Sequence, residues 1–113
     1  MLGSTSDDSN LAVWLSAHTK TYTMKHRQIY QLAEKYRDHL TAIGTKGQRQ
    51  DTSRAFIPTR DQSLAHALWM CETILDHLGH GLTSKAERWL CFVQGVLWVT
   101  GLSSIDSMRD DNR

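Results

Sequence analysis

The stretch "ERWLCFVQGVLWVTG", residues 87–101, constrains the fold of this chain more than any other. Its apolar run lasts about twelve residues, and Gln94 is the one amide in it before Thr100. A membrane helix needs about 20 apolar residues, so the run is too short to span a bilayer. On a helical wheel it has two sides. Ala86, Trp89, Leu90, Phe92, Val93, Val96, Leu97 and Val99 fill about half the circumference. Glu87 and Gln94 mark the opposite side, Trp98 and Cys91 lie close to them, and Gly95 and Arg88 fall between. A helix this apolar must be covered. Either it is the central member of a three- to four-helix bundle, or Trp89, Phe92, Gly95, Val96 and Val99 meet a second copy in a homodimer. Mid-helix Gly95 costs about 1 kcal/mol against Ala, and a closely approaching backbone would compensate.

The rest of the chain reads as all-α. There is one proline and little strand-like alternation. Residues 1–9 form a polar tail, and residues 10–113 a single helical domain. A short N-terminal helix is expected over 10–18, carrying Leu11, Val13, Trp14 and Leu15. A long helix over 23–43 places Ile29, Leu32, Ala33, Tyr36, Leu40 and Ile43 on one stripe and ends at Gly44 and Gly47. Residues 45–58 are a long polar loop, expected to be mobile. Thr59-Arg60-Asp61-Gln62 is a capping box, opening a helix that ends near Gly79 with Leu64, Ala67, Leu68, Cys71, Ile74, Leu75 and Leu78 inward. Ser84-Lys85-Ala86-Glu87 reads as a second capping box, Gly101 as a C-terminal cap, and Ser104 as the start of a last short helix.

Charge narrows function by exclusion. Thirteen Lys plus Arg face twelve Asp plus Glu. That is neither the basic excess of an ordinary DNA-binding domain nor the acidic excess of a DNA mimic. The polar, acidic start has no secretory pattern, which places the chain in a reducing cytoplasm with Cys71 and Cys91 unpaired. The paired carboxylates Asp7-Asp8 and Asp110-Asp111 read as solvated ends.

Three constellations invite chemistry. Cys71, His66, His77 and His80 lack the short paired spacing of zinc sites, so no metal or other cofactor is expected. Arg60-Asp61-Gln62-Ser63-Leu64-Ala65-His66 resembles the R-[DNH]-x4-H pattern of HEPN-type ribonucleases, in which arginine and histidine converge on a scissile phosphate from two paired chains. That resemblance implies a metal-independent ribonuclease using Arg60 and His66. The basic and aromatic residues Lys20, Tyr22, Lys25, His26, Arg27 and Tyr30, with Lys46, Arg49 and Arg54, suit nucleic-acid phosphates.

The main expectation is different. Trp69 falls opposite the leucine stripe of its helix, beside Glu72, Thr73 and Asp76, and Trp98 leaves the main apolar face of the next. Misplaced tryptophans favour protein interfaces. The predicted partner surface therefore combines Trp69, Glu72, Asp76 and Trp98 with Arg49 and Arg54; alternatively, the N-terminal segment with Trp14 covers both indoles as a second core layer.

Residues 64–113 resemble small accessory proteins of tailed bacteriophages, on "HALWMCE" (66–72), "RWLCFVQGVLW" (88–98) and "SIDSMRDDNR" (104–113). The resemblance transfers no catalytic residue. It implies a phage accessory protein made in the host cytoplasm, which binds and blocks a host enzyme or a defence complex. A nucleic-acid-associated structural component of the phage is a further reading.

Overall fold

The computed structural model describes the backbone of residues 10–53 and 55–113, and the side chains of residues 25–53 and 55–113. The expected tail over 1–9, the Arg54 site and the side chains of Trp14, Lys20 and Tyr22 lie outside the described residues. The chain is all-α: α1 (Asn10–Ala42), α2 (Arg60–Gly79), α3 (Thr83–Val99) and α4 (Ile105–Asp111), with no strand among the described residues.

The short helix expected over 10–18 and the long one over 23–43 are one continuous α1. Residues 19–22 contain neither Gly nor Pro, so nothing local breaks the helix there. Three helices end alike. Thr45 N–H reaches the Leu40 carbonyl, Leu82 N–H that of His77, and Leu102 N–H that of Leu97, while the residue before each closes the inner bond. That residue is Gly44, Gly81 or Gly101, each at positive φ. These are Schellman caps, and glycine adopts the left-handed conformation they need at no steric cost.

Starts differ. The Thr59 box forms in full: Thr59 Oγ1 accepts from Gln62 N–H, and Gln62 Oε1 accepts from Thr59 N–H. The Ser84 box does not form. α3 begins two residues earlier, with Leu82 rather than Ser84 as its N-cap and no side-chain bond there. Glu87 instead pairs with Lys25 of α1 at 2.6 Å, so its carboxylate is drawn across the bundle rather than back to its own backbone.

α2, not α3, is the central helix: it packs on both α1 and α3 more extensively than those two meet each other. Its buried residues, Leu64 to Leu78 and including Met70 and His77, span about 180° of the wheel. Those of α3 (Thr83, Ala86, Leu90, Val93, Gln94 and Leu97) span only about 100°. The buried arc of α3 is thus rotated from the one its sequence suggests. Gln94 turns in, while Phe92 and Val99 turn out. Ile43, expected inside, is half exposed because α1 has already ended.

The rotation has a polar cause. Gln94 Nε2 donates to Tyr36 Oη at 3.0 Å and to Asn112 Oδ1 at 2.8 Å. Tyr36 in turn donates to Asp111 Oδ2 at 2.8 Å, and Lys35 Nζ donates to Asp111 Oδ1 at 2.7 Å. A buried amide is tolerated when its hydrogen bonds are made. Burial, opposed by the Gln94 bond and reinforced by Asp111, pushes the Tyr36 phenol above its usual range. Asp111 is therefore not a solvated end. It ties α4 to α1, and Met108 is buried beside it.

Candidate interaction surface

Two surface features stand out, one along α2 and one along α3, and they adjoin at Phe92 and Val96. The first is built by residues 47–50, within the segment read from the sequence as a mobile loop. They lie along α2 as a strap. Gln48 N–H donates to the Ala65 carbonyl at 3.0 Å, and Gln50 N–H donates to His66 Nδ1 at 3.0 Å. At Gly47 the strap touches α2 so closely that a Cβ there would sit 2.8 Å from Glu72 Oε1 and 3.3 Å from Leu68 Cγ. Between these points the Arg49 guanidinium covers the Trp69 ring at 5.6 Å.

From the strap a row of rings runs on between α2 and α3. His66 meets Trp69 at 5.3 Å, Trp69 meets Trp89 at 5.6 Å, and His77 meets Trp89 edge-on at 4.8 Å. Lys85 lies over the Trp89 ring at 5.6 Å. Such contacts extend the core outward rather than leave aromatics bare. Trp69 is half-buried here, covered by Arg49 instead of standing beside it as a partner anchor. Trp89, expected at a dimer interface, is likewise held within the chain.

His77 is buried, and its Nδ1 has no hydrogen-bond partner among the described residues. Burial first, then the Lys85 charge, hold it below the ordinary histidine value of 6.5. Burial, then Arg49, do the same for His66. Both rings are neutral in the native and unfolded chain above that value. As pH falls, the unfolded chain takes up protons first, so stability is lost between 6.5 and the lower native values. His77→Leu removes the orphaned nitrogen at similar volume. It is expected to raise stability by about 1 kcal/mol near neutral pH and to flatten the acid slope, read from urea midpoints at both pH values.

The second feature is the outer face of α3. Phe92 is 58% exposed, Trp98 53% and Val99 72%. Val96 is half-buried, Cys91 is exposed, and nothing lies within 4 Å of the Cβ direction of Gly95. Among the described residues, then, no backbone makes the close approach expected at Gly95. Phe92, Gly95, Val96 and Val99 recur at three and four and form one strip, with Trp98 and Cys91 along its edge. Exposed Arg88 prolongs the strip by one turn and makes no ion pair among the described residues.

The predicted partner set is thus not assembled in one place. Trp98 stands nine residues beyond Trp89, on the opposite side of α3, while Trp69 contacts Trp89. Glu72 lies by Gly47, and Asp76 is exposed near His80, 3.7 Å from its ring. Arg60 and His66 leave α2 about 120° apart, and each is committed elsewhere. Arg60 donates to the Thr100 carbonyl at 3.3 Å, and His66 accepts from the strap. Of the basic cluster, Lys25 is paired with Glu87 and Arg49 lies on Trp69, while Arg27 and Tyr30 face solvent.

Among the described residues no three His, Cys, Asp or Glu side chains are grouped to hold a metal. Cys71 lies in the core with its thiol pushed up to about 12 by burial and then by Glu72, and both cysteines are free. No described helix is long and apolar enough to cross a membrane. Sequence reasoning missed Arg88 as the charged end of the α3 strip, Lys85 as the cation over Trp89 and Asp111 as the partner of Tyr36. A lone amide inside an apolar run, Gln94, was the signal that a buried polar partner existed. Comparison with family models, with curated proteins and with solved structures gives no match for this chain.

Proposed function

We propose that this chain is a non-enzymatic interaction protein that docks a host protein through the outer face of α3. The carrying observation is the strip on which Phe92, Trp98 and Val99 are exposed, Val96 is half-buried and Gly95 is open among the described residues. It offers on the order of 400 Å² of apolar surface, the size at which patches on monomers are often functional. Trp98 is the anchor type that dominates binding energy at interfaces. Arg88 at one end asks for a carboxylate, so the partner fitting this strip is an apolar surface with an acidic rim. A second copy fits less well. An antiparallel copy sets Arg88 toward the end of α3 where Arg60 sits, and a parallel copy sets it against itself. The likeness to phage accessory proteins supports a host target, whether an enzyme or a defence complex.

The test is capture from nuclease-treated host lysate with tagged wild type, Val99→Asp and Arg88→Glu. Both sites are exposed, so stability should change by less than about 0.5 kcal/mol. A partner held by wild type and weakened roughly 30-fold or more by Val99→Asp, a change on the scale of a 2 kcal/mol hot spot, supports the reading, as does weakening by Arg88→Glu. Equal capture by all three chains overturns it. So does a doubled mass in light scattering that Val99→Asp abolishes, a partner recovered only when the nuclease treatment is omitted, or RNA cleavage that His66→Ala abolishes.

A further inference from the structure

The strap is tied to α2 by few bonds, and one of them is titratable. Gln48 binds a backbone carbonyl, but Gln50 binds a ring nitrogen, His66 Nδ1. Further along, Asp51 accepts from the Ser53 N–H and hydroxyl, a local turn that adds no tie to α2. Behind these residues lies a recess of about 230 Å³, lined by Phe56, Pro58, Ser63, His66, Phe92 and Val96 with the inner side of the strap.

We propose that His66 is a pH-sensitive latch: unprotonated at Nδ1 it holds residues 48–53 on α2, and protonated there it releases them and opens the apolar recess. An imidazole nitrogen accepts a hydrogen bond only through its lone pair, so this bond exists only in the neutral tautomer with the proton on Nε2. Adding a proton to Nδ1 sets N–H against N–H at a separation of 3.0 Å. The bond is then lost, and a repulsion between two N–H groups takes its place.

The surroundings set when this happens. From the strap, Arg49 opposes the proton and Asp51 favours it. From α2, the neighbours are Trp69 and Ser63, and from α3, Phe92 and Val96, all uncharged. Burial and the Arg49 charge win, so the latch is closed near neutrality and opens in acid. Arg49 lies between the two tied residues, so release also withdraws its guanidinium from Trp69. Opening therefore bares an indole and an apolar recess together, a site for an aromatic or aliphatic group. The recess shares Phe92 and Val96 with the α3 strip, but the latch rests on the Gln50–His66 bond and not on the proposed docking.

Residue-resolved amide exchange on the full chain tests it, compared as protection factors at about pH 7.5 and about pH 5, either side of the ordinary histidine range. In wild type, protection at Gln48 and Gln50 is expected to fall tenfold or more in acid, while Leu90 and Val93 in α3 hold theirs. His66→Asn retains an acceptor that does not titrate, so its strap should stay protected at both pH values. His66→Ala should leave the strap unprotected at both. Unchanged wild-type protection would overturn the latch, as would an equal acid loss in His66→Asn or a parallel loss in α3. The wild-type chain alone gives a second reading: nitrogen shifts showing Nδ1 protonated at neutral pH would also sink it.

Discussion

Ile74→Ala is expected to cost about 3–4 kcal/mol, the upper middle of the range for deleting a buried aliphatic side chain. Ile74 is wholly enclosed, at 0% exposure, on the face of α2 that packs between α1 and α3. Because α2 touches both neighbours, a cavity there cannot close by shifting one helix without opening a gap against the other. At this chain length the loss is a fall in Tm of roughly 15 °C. Urea denaturation of wild type and variant reads the free energy directly. The control is Ile57→Ala. Ile57 is 87% exposed, and its truncation is expected to stay within about 0.5 kcal/mol. A small loss at Ile74, or equal losses at both positions, would mean that α2 is not the centre of the core.

Removing residues 111–113 is the second large effect, about 3 kcal/mol and a fall in Tm of roughly 10 °C. Three residues at a chain end would ordinarily be dispensable. Here Asp111 accepts from Lys35 and Tyr36, its carbonyl accepts from Gln28, and Asn112 satisfies the Gln94 amide. Truncation leaves Gln94 and Tyr36 with only each other inside the bundle. The loss should be partly rescued by Gln94→Leu in the truncated chain, because an apolar side chain there has nothing left to satisfy. In the full-length chain the same substitution should destabilise. A double-mutant cycle on thermal midpoints measures this change of sign, and additive effects would show that the network is not coupled.

These two results probe different depths of the sequence. The inward stripe of α2, Leu64 through Leu78, is a matter of period, and any helix of that pattern buries that side. The Thr59 cap and the glycine that closes each long helix are similarly local. The Ser84 cap had the same local signature and failed, because Lys25, from a helix far away in sequence, takes up Glu87. His66 shows the same limit at the candidate site. Its neighbours spell a nuclease-like pattern, yet its partner is the backbone of Gln50, sixteen residues earlier. Trp98 was legible as an outward tryptophan from its place on the wheel, whereas Trp69, read by the same rule, lies beneath Arg49.

By itself the sequence determined helices, most of their ends and the existence of more apolar surface than one core needs. Those features depend on groups within a turn or two of each other. Only the tertiary structure decided which 100° of α3 is buried, that Asp111 is an anchor, and that residues 47–50 strap α2. Each of those depends on which distant polar group finds a partner, and hydrogen-bond satisfaction across a bundle has no period along the chain.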